Sequence, residues 1–213
     1  MQSMPIDRHS ARRHERRAPR AGERIRAAAV RLFYRQGIRA VGVDEIVRRA
    51  GATKPTLYRS YRSKDQLAAA YLRAWDAAFW GYFESAVATR AGDARAQLLE
   101  FLSGVVRRVR TPGYRGCALT NAAVEYPRPN HPARLVAVAN KRRLRQRLLQ
   151  MARAMGARQP RLLADGLALL IEGAYASCQL FPGAAPATSV ARVAAQLIDA
   201  SLRPAGRRAR RGS

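Results

Sequence analysis

The stretch VDEIVRRAGATKPTLYRSYRSKDQL, residues 43–67, holds two very short helices and the start of a third. In its first segment Asp44 and Glu45 fall in the first turn, where acids complement the helix dipole. Ile46 and Val47 face inward, and Gly51 is the stop. Thr53 then reads as the N-cap of a second short helix. Pro55 does not oppose that helix, because it lies in the first turn, where a backbone N–H has no partner to lose. Ser63 and Gln66, three apart, form a capping box that opens a longer helix through Leu67, Tyr71, Leu72 and Trp75. Upstream, ERIRAAAVRLFYRQG, residues 23–37, repeats apolar residues at Ile25, Ala28, Ala29, Leu32 and Phe33, which is the helical period, and ends at Gly37. Two short helices joined by a tight AGAT turn and flanked by longer ones bury enough surface only by packing together, which is the arrangement of a helix-turn-helix. In the second short helix Leu57 and Tyr61 point inward. Lys54, Pro55, Tyr58 and Arg59 face outward on a surface rich in donors and without an acid of its own.

Charge points the same way. The 213 residues carry 40 basic against 14 acidic side chains, a net +26, and only Lys54, Lys64 and Lys141 of the basic ones are lysine. Such a balance attracts a polyanion, although a chain rich in both Ala and Arg also reflects biased composition, so the placement of the charges has to decide. With 48% hydrophobic residues the chain can bury an ordinary core. Its longest apolar candidate, residues 166–190, is interrupted by Glu172, Pro182 and Pro186, which argues against a membrane span, and the first residues have no apolar run that would make a secretory signal. Cys117 and Cys178 stand apart and read as reduced and buried, without a flanking pattern that marks either as reactive. His9, His14 and His131 are too scattered for a metal site. No phosphate-binding loop, nucleophile elbow or zinc-protease helix is found, so an enzyme is not expected, and no cofactor is implied.

Beyond Leu72 the periods stay helical up to Leu202, broken only at Gly and Pro clusters, which gives five or six more helices. Tyr71, Trp75, Phe79 and Phe83 form an aromatic stripe, with Trp80 and Tyr82 beside it. Core packing accounts for any one of them; as a group they also suit the wall of an interhelical pocket. The candidate lining residues are Trp75, Phe79, Phe83, Tyr114, Cys117, Asn121, Glu125, Glu172 and Tyr175. Glu172 serves equally as a ligand anchor, an interface residue or an arginine partner.

Residues 27–72 resemble the DNA-binding part of TetR-type transcriptional regulators, and GCALTNAAVEYPRPNHPAR, residues 116–134, is similar to the C-terminal part of one branch of that family. The resemblance implies an all-α fold: an N-terminal three-helix helix-turn-helix DNA-binding domain and a larger C-terminal helical ligand-binding and dimerisation domain. The expected boundaries are a basic arm at 1–20, the DNA-binding domain at 21–68, the larger domain at 69–203 and a basic tail at 204–213. It further implies that residues 53–60 enter the major groove, with Thr53, Lys54, Tyr58 and Lys64 on phosphates and Pro55, Thr56 and Arg59 at base edges. Tyr58 has packing as its alternative role. Gly42 replaces the usual hydroxyl cap of the second helix and Ser60 a frequent His, so contacts at both positions differ from the family pattern. By the same resemblance the protein is a cytoplasmic homodimer, paired through its last two helices, that associates with the nucleoid on a palindromic double-stranded operator and answers to an unidentified small-molecule effector. Repression is the common outcome, with activation as its alternative. A non-specific basic nucleic-acid-binding protein is the rival that charge alone would allow.

Overall fold

The computed structural model describes residues 20–181, 183 and 185–202, and every regular element among them is helical. The basic arm and tail expected at the two ends therefore lie outside the described residues, apart from Arg20. The elements are α1 (Ala21–Gln36), α2 (Val43–Ala50), α3 (Lys54–Ser60), α4 (Lys64–Ala88), α5 (Ala94–Val109), α6 (Ala118–Glu125), α7 (Pro132–Ala154), α8 (Pro160–Ser177), the single turn α9 (Ala185–Thr188) and α10 (Val190–Leu202). No described helix is long and apolar enough to cross a membrane.

The helix ends fall where the local chemistry sets them. Gly37, at φ 89°, closes α1 with its N–H on the Phe33 carbonyl, and Gly51 takes the left-handed conformation after α2. Thr53 Oγ1 accepts from the Thr56 amide, and Pro55 sits in the first turn of α3. Ser63 Oγ accepts from the Gln66 amide at 3.2 Å. The reciprocal half of that box is not formed, since the Gln66 side chain makes no bond to Ser63; the Lys64 ammonium instead reaches away across the fold. A return bond does form at α1, where Glu23 accepts from the Arg20 amide at 2.9 Å. Tyr61 is the cap residue of α3 in extended backbone rather than a helical neighbour of Leu57. Leu57 is fully buried, while Tyr61 only leans on the core.

Two apolar cores share α4. The first gathers Ile25, Phe33, Ile46, Leu57 and Leu72 from α1–α4 and extends to Leu119 on α6 and Ala137 on α7. The second is built around Phe83, Phe101, Leu148, Leu167 and Ile198 from α4, α5, α7, α8 and α10. The molecule is thus an N-terminal helix-turn-helix unit joined to a larger helical part through one continuous helix. Asp76 on α4 accepts from both Trp80 Nε1 at 3.2 Å and buried Asn140 Nδ2 at 2.8 Å, which fixes α7 along the middle of α4. α8 and α10 meet at Gly166, where a Cβ would lie 2.9 Å from Leu197 Cδ2. Leu169 and Val193 are exposed and line an open groove along this pair together with Gly166 and Leu197, and Leu162 of α8 is exposed as well.

Candidate nucleic-acid interface and interior cavity

α3 stands outward on the first core, anchored by Leu57 alone among its residues. Its exposed side is organised before any partner arrives. Arg59 Nη2 donates to Thr56 Oγ1 at 3.1 Å, and Thr56 Oγ1 lies 3.0 Å from Thr53 Oγ1, so one hydroxyl pair holds the guanidinium along the helix. Tyr58 is half exposed at 49%, with its ring free of the core. Ser60 Oγ donates to the Thr56 carbonyl at 3.2 Å and lies 3.1 Å from where a Gly22 Cβ would stand. The start of α1 therefore leans directly on the end of α3, and a larger residue at either position would force them apart. Gly42 has open space around it.

The face is not free of acid. Asp44 of α2 reaches across to Lys54, with Oδ1 2.7 Å from Nζ, and that contact raises the lysine pKa. Lys64 also differs from expectation. Its ammonium is half-buried and donates to the Arg39 carbonyl at 3.2 Å, and burial lowers its pKa. It braces the turn between α1 and α2 rather than projecting as a free cation. Arg39 is held from the other side too: its amide donates to Glu125 Oε2 of α6 at 2.8 Å.

The proposed ligand residues separate into four groups. Trp75, Phe79, Tyr114, Cys117 and Tyr175 come together around one cavity where the two cores meet, with Tyr82 and Arg108 completing the wall. Its volume is about 30 Å³, roughly that of one water molecule. Asn121 and Glu125 do not reach it. They line an open groove of about 440 Å³ on the other side of α6, beside Tyr34, Gly37 and Arg39. Phe83 is fully buried against Phe101, with ring centroids 4.7 Å apart, and is core. Glu172 lies behind the cavity wall, where it accepts from Thr120 Oγ1 at 2.7 Å and from Lys141 Nζ at 2.5 Å. Its partner is thus a lysine and a threonine, not an arginine.

Burial pushes the phenols of Tyr114 and Tyr175 far above their ordinary range. Burial also pulls the Lys141 ammonium down, but Cys117, 3.4 Å from Nζ, and Glu172 more than offset it, so the lysine stays charged. The Arg108 guanidinium stacks 5.0 Å above the Trp75 ring. Tyr82 owes its place to Gly104 on α5, because a Cβ there would stand 1.3 Å from the Tyr82 hydroxyl. Tyr34 links this cavity to the helix-turn-helix. Its ring stacks on Trp75 at 5.0 Å, and its hydroxyl accepts from the Arg115 amide at 2.8 Å, two residues before Cys117. Tyr82 stands beside the aromatic stripe in the sequence, whereas Arg108, Lys141 and Tyr34 are not evident there as site residues. Lys141 carried the one local signal, being the only lysine after Lys64 in an arginine-rich chain.

Comparison with known proteins agrees with this fold. Residues 25–71 match the family described as bacterial regulatory proteins, tetR family. An uncharacterized HTH-type transcriptional regulator of Mycobacterium tuberculosis, Rv1255c, is 40% identical over 57 residues. That match spans 27% of this chain and only 28% of the relative's length. Two solved structures align over nearly their whole length. SCO4454, a TetR-family transcriptional regulator from Streptomyces coelicolor, has 29% identity and a TM-score of 0.82, covering 86% of this chain and 96% of that one. A candidate TetR-type regulator from Streptomyces avermitilis has 31% identity and a TM-score of 0.76, covering 86% of this chain and 98% of that one. With a helix-turn-helix matched in sequence and the larger helical part matched in structure, the chain belongs to the TetR family.

Proposed function

We propose that the chain is a sequence-specific DNA-binding transcriptional regulator, a homodimeric repressor that leaves a palindromic operator when a small, largely apolar ligand occupies the cavity beside Cys117. The observation that carries the DNA reading is the pre-set Arg59 guanidinium on the exposed face of α3, held by Thr56 in a helix that fits a major groove. Arg59 reads a guanine edge, Pro55 and Thr56 offer apolar contact to a thymine methyl, and Thr53, Lys54 and Tyr58 hold phosphates. Lys64 positions the α1–α2 turn and contributes its charge from behind the interface. The exposed apolar side of α8 and α10 supplies a self-complementary surface, and pairing there around a two-fold axis gives two reading helices on one face of the duplex.

Release follows from the size of the cavity. About 30 Å³ holds no effector, whereas small-molecule sites run to several hundred Å³, so a ligand binds only a conformation in which the aromatic walls have moved. Such a ligand has a differential affinity for two states of the protein, which is what a shift in DNA affinity requires. Couplings of about 1 to 3 kcal/mol, or 5- to 150-fold, are usual. The Tyr34–Trp75 stack connects the moving wall to the helix-turn-helix directly, and the Glu125–Arg39 bond does so through α6, whose Ala118 and Leu119 belong to that wall.

Selection of bound duplexes from a random pool tests the first step. A palindromic motif with half-sites about one helical turn apart supports the proposal, and recovery of no motif means that the charge binds nucleic acid without sequence preference. Placing the recovered site upstream or downstream of a reporter start then separates repression from activation.

A further inference from the structure

We propose that Cys117 is a covalent acceptor for small α,β-unsaturated carbonyl compounds, which are captured in the aromatic cavity as thioethers with Lys141 as the proton-handling partner. This deepens the effector reading, and only its regulatory consequence rests on that reading.

Three independent features converge at this place. The first is a nucleophile with a fixed cation. Lys141 Nζ lies 3.4 Å from Cys117 Sγ and is held there by Glu172 Oε1 at 2.5 Å, while Thr120 fixes the other carboxylate oxygen at 2.7 Å. A cation beside a sulfur stabilises the charge that the sulfur carries as it attacks. The second is a pair of donors without acceptors. Tyr175 is only 6% exposed and lines the cavity, yet its hydroxyl has no hydrogen-bond partner among the described residues, and neither does that of Tyr114. Neither oxygen is among the sealed, unpaired polar atoms of the described residues, so both hydroxyls stay open to an acceptor oxygen that enters the cavity they line. The third is shape. Trp75, Phe79 and Tyr82 wall the same space, and flat rings suit a planar conjugated molecule. Cys178 offers a built-in contrast. Its thiol donates to the Tyr175 carbonyl at 3.1 Å, burial pushes its pKa up, and it does not line the cavity.

The chemistry balances without an oxidant. Sulfur forms a bond to the β-carbon of the enone, and the carbon–carbon π pair shifts toward the carbonyl oxygen as an enolate. The tyrosine hydroxyls and the Arg108 guanidinium supply donors for that oxygen. Cys117 attacks as the thiolate beside the Lys141 ammonium, having given its proton to solvent; the ammonium delivers a proton to the α-carbon and regains one from solvent, so thiol plus enone gives the saturated thioether. Cys117 touches both apolar cores, and a tethered ligand there would keep them from closing on each other.

The test uses the full chain with methyl vinyl ketone, and site-resolved rates are read by peptide mass spectrometry. Cys117 is expected to react at least about tenfold faster than Cys178, and Lys141→Gln to slow Cys117 by about tenfold while Lys141→Arg restores part of the rate. Tyr175→Phe should slow addition of the ketone but leave alkylation by iodoacetamide, which forms no enolate, unchanged. Equal or faster labelling of Cys178, or an unchanged rate in Lys141→Gln, overturns the proposal. Should Lys141→Gln fail to fold, Glu172→Gln is read instead through the pH profile of labelling, and an unmoved profile overturns it too. DNA affinity of the Cys117 adduct is measured separately. An adduct that binds the selected duplex as before leaves the covalent site standing and sinks the regulatory reading of the cavity.

Discussion

The carboxylate of Glu125 on α6 accepts the backbone N–H of Arg39 at 2.8 Å, and it thereby caps a turn of the helix-turn-helix from the larger part of the molecule. Glu125→Ala leaves that amide without its partner. We expect a loss on the order of 1 kcal/mol in unfolding free energy, since the bond is charge-assisted but partly exposed. A larger effect is expected on communication: the ligand-induced change in DNA affinity should shrink while ligand affinity changes little. Thermal melts and DNA titrations with and without ligand check both, and an undiminished coupling would show that the signal travels elsewhere.

Arg59 and Thr56 form a second testable pair, 3.1 Å apart on the exposed face of α3. Arg59→Ala should cost about 1 to 3 kcal/mol of DNA binding and relax preference at one base position. Thr56→Val keeps the methyl but frees the guanidinium, so a smaller loss at the same position is expected. Competition with duplexes substituted one base at a time distinguishes this from a uniform loss, which would make Arg59 a phosphate contact.

Asp44 pairs with Lys54 on the face proposed to meet DNA. Asp44→Asn removes an acid next to the phosphates and releases the ammonium, so DNA binding should tighten at low salt. The slope of log K against log salt should steepen by about one ion. Thermal stability should hardly move, because the pair is exposed to water. Anisotropy titrations over a salt series measure the slope, and weaker binding would mean that the ion pair orients Lys54 for its contact.

Buried phenols give the protein an alkaline limit. Burial raises the pKa of Tyr71, Tyr114 and Tyr175, and that of Tyr126 to about 12. In each case the folded state keeps its proton after the unfolded chain, near pH 10, has lost it. Stability from these groups is therefore complete below about pH 10 and falls as pH rises toward the folded values. Tyr175→Phe removes one such proton and a hydroxyl without a hydrogen-bond partner. It should be neutral or stabilising at pH 7 and should flatten the alkaline decline by about one proton, as read from urea titrations between pH 8 and 11. A clear destabilisation at pH 7 would contradict the unpaired hydroxyl.

What the sequence made legible was local. Gly37, Gly51, Thr53 and Ser63 mark helix ends by backbone chemistry that acts within a few residues, and the structure puts the ends there. What it left hidden was every contact set by another helix. Lys64 reads as a free cation because the carbonyl that takes it belongs to Arg39, which is 25 residues away. Phe83 shares a stripe with Trp75 and Phe79, but Phe101 of α5 covers it and leaves the other two at the cavity. Asn121 and Glu125 share α6 with the residues beside Cys117, yet they face α1 rather than the cavity. Glu172 was recognised as unusual, and only the fold reveals its partners on α6 and α7.

The dimensions of the cavity are set partly from behind its wall. Gly104 stands at the hydroxyl end of Tyr82, and any side chain there would evict the ring from its present position. If the cavity is the effector site proposed above, a lineage changes the range of molecules its regulator answers to by substituting a residue that no ligand ever meets, while every lining side chain and the exposed face of α3 stay the same.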